Sequence, residues 1–229
     1  LDNAATSWPK PDAVYDAMDR FSRETGATAG RGSYRSATQA SEVVASCRRQ
    51  LMRLIHASQA SEIAFFSNGT TALNAAIMGA VQPGDHVVTT AIEHNSVLRP
   101  LTHLNDRGMI RLTIARCNAM GEVDIDQLFE SIEPSTALVA IAHASNVTGA
   151  VQDVTTIGKS LRDHKALLLC DAAQTLGYLP IDVQEMGIDL LAAPGHKGSC
   201  GPLGTGMLYA SPKATCVLRP TIFGGTGSV

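Results

Sequence analysis

Two charged residues, each at the end of an apolar run, carry the chemistry this sequence can do. Lys197 lies in Ala193-Pro194-Gly195-His196-Lys197-Gly198, just past the apolar run at 188–192 and before a glycine-rich stretch. Asp171 ends the run Ala166-Leu167-Leu168-Leu169-Cys170 and is followed by Ala172-Ala173-Gln174. A carboxylate at the mouth of a buried strand needs a cation, because an isolated charge in apolar surroundings is costly. A lysine on a tight loop can project its amine into a cleft. An amine to hold an aldehyde and an anion to keep a ring nitrogen protonated are together what pyridoxal phosphate chemistry requires.

Other polar residues occupy the same kind of position. Asn68-Gly69-Thr70-Thr71 joins a strand to a helix, and its free amides, close-approach glycine and two hydroxyls suit a phosphate. Thr70 as an ordinary helix N-cap explains that string equally well, and in isolation the cap is the better reading. His94, in Glu93-His94-Asn95-Ser96, can lie against an aromatic ring and exchange protons near neutral pH, or simply cap a helix. Gln174 and Asn146 can reach a ring or a substrate, or be loop groups satisfied by backbone. His196 can donate to a phosphate or face solvent. For Lys197 the plain alternative is a solvated charge, since most lysines are exposed. Cys200, close to Lys197, is a conceivable sulfur carrier but reads better as a small packing residue.

These residues need elements to position them. From residue 62 onward, short apolar runs alternate with amphipathic stretches, the pattern of strands joined by crossover helices into a mainly parallel sheet. The runs predict seven strands at 62–67, 86–92, 110–115, 136–143, 166–171, 188–192 and 206–210. Helices are predicted at 71–81, 96–107, 125–132 and 155–163, with two more at 11–23 and 38–55 joined by a glycine-bearing loop at 26–34. The division expected is an N-terminal segment, residues 1–61, followed by a large α/β domain, residues 62–229. Open parallel sheets bind ligands beyond the carboxyl ends of their strands. Five polar strand ends therefore converge on one cleft.

Composition narrows the classes without choosing one. With 18 Lys and Arg against 21 Asp and Glu, the formal net charge is −3, which offers no electrostatic footprint for nucleic acid or an anionic membrane. Five cysteines are scattered without a CxxC pair, arguing against a zinc knuckle or disulfide framework and for a reducing, cytoplasmic compartment. No metal site is expected. No apolar run approaches the ~20 residues of a membrane span. Because the sequence opens on Leu1 and stops within Gly224-Gly225-Thr226-Gly227-Ser228-Val229, a fragment of a longer protein is expected.

Six strings in order resemble a known family: Leu1-Asp2-Asn3-Ala4-Ala5-Thr6, Asn68-Gly69-Thr70-Thr71, Glu93-His94-Asn95-Ser96, Ser145-Asn146-Val147-Thr148-Gly149, Asp171-Ala172-Ala173-Gln174 and Gly195-His196-Lys197. They are similar to the cysteine desulfurase and selenocysteine lyase group, class V aminotransferase-like enzymes of the fold-type I pyridoxal phosphate superfamily. The resemblance implies an α/β large domain, a small C-terminal domain beyond this chain, and removal of sulfur from L-cysteine to leave alanine and an enzyme persulfide. Other class V activities, such as lyase, transaminase or epimerase chemistry, and a non-catalytic scaffold of the same fold remain as alternatives.

The same resemblance implies the roles of individual residues. Lys197 forms the Schiff base with the cofactor and later carries a proton; His94 stacks on the ring. Asp171 pairs with the pyridine nitrogen, Gln174 bonds the phenolic oxygen, and Asn146 orients the substrate. Gly69, Thr70, Thr71 and His196 hold the phosphate, joined by Thr226 from a dimer partner. Homodimers, and a sulfur-acceptor protein, are implied as partners. The persulfide cysteine and a carboxylate-binding arginine are expected past residue 229. Two departures stand out: Pro194 lies where many desulfurases have a hydroxyl residue, and Tyr34 where some relatives carry a histidine.

Overall fold

The computed structural model describes residues 2–223. All seven predicted strands form: β1 (Ile63–Phe66), β2 (Asp85–Thr90), β3 (Ile110–Ala115), β4 (Thr136–Ala142), β5 (Leu167–Asp171), β6 (Leu190–Pro194) and β7 (Gly206–Ala210). They make one sheet in the order β1-β7-β6-β5-β4-β2-β3. β7 runs antiparallel to both its neighbours, and every other pairing is parallel.

The side-chain period of two assigns each strand residue to a face. On β5, Leu167 and Leu169 join one core while Leu168 and Cys170 join the other. The first core is covered by α3 (Gly69–Ala80) and α4 (Asn95–Asp106), through Leu73, Ile77, Val97 and Leu101. The second is covered by α5 (Ile125–Glu130), α6 (Val154–Ser160) and Ile55, at the end of α2 (Arg35–Leu54). Because both faces are covered, the central strands read as unbroken apolar runs rather than as alternations. Asp171 continues the series Leu167, Leu169 and so belongs to the α3–α4 face.

Several boundaries differ from the sequence expectation for identifiable reasons. α3 begins two residues before the predicted start, because Asn68 and not Thr70 is its cap: the Asn68 side chain accepts from the Thr71 amide at 2.8 Å. β6 runs on to Pro194, which pairs with Gly206. A proline costs nothing there, since a terminal strand residue need not donate to the ladder. The first helix, α1 (Asp12–Arg20), ends earlier than expected and is continued by a π turn at Phe21–Thr25. A short helix α7 (Pro212–Thr215), capped by Ser211, was not anticipated. Among the described residues, no helix is long and apolar enough to cross a membrane.

Candidate functional site

A cavity of about 450 Å³ opens where the carboxyl ends of the central strands meet the starts of α3 and α4. Its floor is built from the ends of three adjacent strands, Ala142 on β4, Asp171 on β5 and Pro194 on β6, all among the lining residues. Ala142 stands opposite Asp171 in the parallel register. Gly69 brings the start of α3 against this floor: a Cβ there would lie 3.0 Å from Pro194 Cδ and 3.2 Å from Pro194 N. A side chain there would press on the proline, so glycine favours the close approach of the helix amides. Pro194 thus packs against the anion-attracting end of a helix in the place where a hydroxyl was expected.

The cavity gathers Gly69, Thr70, His94, Asn146, Asp171, Gln174, His196 and Lys197. Thr71 is not brought in, because its hydroxyl turns back to donate to the Asn68 carbonyl at 2.9 Å. Thr226 lies outside the described residues. Neither Tyr34, exposed on the surface, nor Cys200 lines the cavity. Among the described residues, no group of three or more His, Cys, Asp or Glu is arranged to hold a metal ion.

His94 satisfies both of its readings at once. It caps α4, its Nδ1 accepting from the Ser96 amide at 3.1 Å, while its ring lines the cavity. A backbone donor at Nδ1 makes that nitrogen an acceptor, so in the neutral ring the proton sits on Nε2. The Ser96 hydroxyl lies 2.9 Å from the same Nδ1 and 2.8 Å from Thr70 Oγ1. With Nδ1 accepting, the chain runs from the Thr70 hydroxyl to the Ser96 hydroxyl to His94. Helix α3 and helix α4 are joined through it.

Charge within the site follows from burial. The Asp171 carboxylate is buried and accepts from the Ala173 amide at 2.9 Å. Burial raises its pKa, against the lowering pull of that amide, of His94 and of Lys197. Burial also lowers the Lys197 pKa, opposed by Asp171 and Asp2. Behind the floor, Glu93 is buried and pushed up to about 8 by desolvation. It accepts from the Thr90 hydroxyl at 2.6 Å, tying its loop to β2.

Sequence reasoning missed three contributors. Asp2, Ala4 and Ala5 line the cavity, and Gln174, on the same wall, donates to the Ala4 carbonyl at 3.0 Å. Residues 6–10 form a strap over the His196 loop. Ser96 supplies the hydroxyl between Thr70 and His94. The opening string carried the family resemblance, yet nothing local indicated that it returns to a loop some 190 residues away, as the Thr6 to His196 bond does.

Pyridoxal phosphate fits this set on chemical grounds. The cavity offers a buried carboxylate for a ring cation, an amine of depressed basicity, and free helix amides with a close-approach glycine for a phosphate.

The aminotransferase class-V profile matches residues 1–228. A probable cysteine desulfurase of Methanothermobacter thermautotrophicus is 38% identical over 224 residues, covering 97% of this chain and 56% of the relative. The apo structure of a cysteine desulfurase from Thermococcus onnurineus NA1 superposes with a TM-score of 0.92 at 32% identity, over 98% of this chain and 56% of that one. The structure of SspA in complex with cysteine gives 0.90 at 31% identity, over 98% of this chain and 64% of that one. The chain therefore spans little more than half the length of the curated relatives it matches.

Proposed function

We propose, for a chain that belongs to the aminotransferase class-V family, that it is the cofactor-binding part of a pyridoxal phosphate-dependent cysteine desulfurase. One observation carries the reading: Asp171 and Lys197 line one cavity together with the start of α3. The likeness to a protein solved in complex with cysteine supports a small amino acid as substrate.

When bound, pyridoxal phosphate supplies an aldehyde that bonds amines and a ring that withdraws electrons from the attached carbon. Asp171 would hold the proton on the ring nitrogen, which would give its buried charge a cation in direct contact. Gly69 and the first amides of α3, with Thr70 and His196, hold the phosphate. His94 backs the ring, fixed in orientation by Ser96. Gln174 serves the phenolic oxygen, and Asn146, exposed at the cavity rim, orients the amino acid.

Lys197 has two duties. Its amine is the point of attachment, and depressed basicity leaves more of it neutral and nucleophilic near pH 7. The same Nζ would also remove and return a proton at the substrate carbon. None of the five cysteines lines the cavity, so sulfur transfer is assigned to none of them. The reading extends to a cytoplasmic homodimer with a sulfur-acceptor partner. In support, α1 buries none of its residues and leaves Tyr15 and Met18 exposed for a second subunit to cover.

The test has two parts. The chain mixed with pyridoxal phosphate is expected to turn yellow and to yield a borohydride-fixed adduct at Lys197. The full-length protein is expected to release alanine and, with reductant, sulfide from L-cysteine. Loss of the first result removes the cofactor; loss of the second alone keeps the cofactor and moves the activity elsewhere in the family.

A further inference from the structure

Residues 6–10 bring four donors to a single oxygen, the carbonyl of His196. The Ser7 amide donates at 3.1 Å, the Ser7 hydroxyl at 3.0 Å, the Thr6 hydroxyl at 3.1 Å and the Lys10 ammonium at 3.1 Å. A carbonyl oxygen has two lone pairs, so this is a crowding of donors more usual around an anion. The lysine is itself held, lying 3.2 Å from Ser7 Oγ and 3.4 Å from the Ser7 carbonyl. Fixing a long side chain costs rotamer entropy that an ordinary surface lysine does not lose.

The clamped oxygen belongs to the peptide unit whose nitrogen is that of Lys197. Its orientation therefore decides where both neighbouring side chains point. His196 is further restrained through Nδ1, which lies 3.1 Å from Thr6 Oγ1. Backbone bonds also hold this loop, from Gly195 to the Thr205 carbonyl at 2.9 Å, from Gly201 to the Gly195 carbonyl at 2.7 Å and from Cys200 to the Lys197 carbonyl at 2.8 Å. None of these touches the carbonyl of residue 196. Among the described residues, the strap supplies every hydrogen bond to that carbonyl, and Lys10 is its charged donor.

We propose that Lys10 is a positioning residue for the cofactor-binding amine: its ammonium locks the peptide between His196 and Lys197 so that both side chains face the cavity. This rests on the reading of Lys197 as the attachment point. The charge of Lys10 also bears on its neighbour, since it helps burial and Lys197 to lower the basicity of His196.

The experiment compares the chain with its Lys10→Gln, Lys10→Arg and Ser7→Ala variants. It reads pyridoxal phosphate affinity from the visible absorbance, the rate of borohydride-fixed adduct formation at Lys197, and the melting temperature without cofactor. Loss of a charge-assisted hydrogen bond is expected to weaken cofactor binding by about tenfold in Lys10→Gln. Adduct formation slows with it, while the cofactor-free melting temperature barely moves. Lys10→Arg restores most of the loss, and Ser7→Ala, which keeps the ammonium, stays within about threefold of wild type.

Wild-type affinity and adduct rate in Lys10→Gln would overturn the proposal. So would a drop in melting temperature matching the loss of affinity without rescue by arginine, or a Ser7→Ala variant as impaired as Lys10→Gln. Absence of a Lys197 adduct in the wild-type chain is a separate outcome that overturns the cofactor reading, and this proposal with it.

Discussion

Glu93 Oε1 accepts the amide of Ala142 at 2.9 Å, so a buried carboxyl on the loop after β2 pins the residue that stands beside Asp171 on the cavity floor. Desolvation moves the Glu93 pKa from its ordinary 4.5 to about 8. The folded protein therefore binds a proton through this window that the unfolded chain has released, and stability falls as pH rises across it. Denaturation free energies measured from pH 5 to 8 are expected to decline, by up to about 1.4 kcal/mol per unit from this group. Glu93→Gln keeps both accepted hydrogen bonds and should flatten the profile. Parallel profiles for the two proteins would show that Glu93 titrates normally.

Asp171 sets function against stability. Without cofactor its charge is buried at a cost, and burial raises its pKa. Asp171→Asn is expected to stabilise the cofactor-free chain near pH 7 by about 1–2 kcal/mol. The same change should weaken pyridoxal phosphate binding by about tenfold to a hundredfold, because the ring nitrogen loses its anion. Melting curves and absorbance titrations check the two halves, and a variant less stable than wild type would contradict the first.

Ser96→Ala cuts the hydroxyl chain from Thr70 to His94 and releases the Thr70 proton to a phosphate oxygen. Cofactor affinity is expected to hold or rise, while turnover of the full-length enzyme falls about fivefold as His94 loses a partner worth about 1 kcal/mol. A parallel loss of affinity and turnover would place Ser96 in the phosphate cradle instead.

Gly158 offers a control far from the cavity. On α6, a Cβ at this position would overlap the carbonyl oxygen of Met186, a backbone atom that cannot step aside. Gly158→Ala is expected to destabilise the chain by about 1–3 kcal/mol in denaturant, with cofactor affinity per folded molecule unchanged.

Much of this was legible in the sequence because it is local. The run that became β7 was placed at its observed limits, since apolar residues buried on both faces leave an uninterrupted signal; β3, an edge strand whose inner positions are partly exposed, was also placed at its limits. Asp171 stood out because a charge ends such a run. The start of α3 was misplaced, because Asn68 and Thr70 are both good caps and only the observed bond to the Thr71 amide chooses between them. Ser96, Glu93 and Lys10 were passed over because each acts through a residue distant in the chain or through a backbone atom. Nothing in the type of a lone serine or lysine shows which carbonyl it will meet.

The strap has a consequence for biosynthesis. Lys10 meets its partner 186 residues downstream. On the ribosome the amino-terminal stretch emerges long before the loop that receives it, and closing so long a separation is an entropically late event. The nascent chain can pair β5, β4, β2 and β3 and still lack a finished attachment point, so vitamin capture waits until translation has passed the lysine loop.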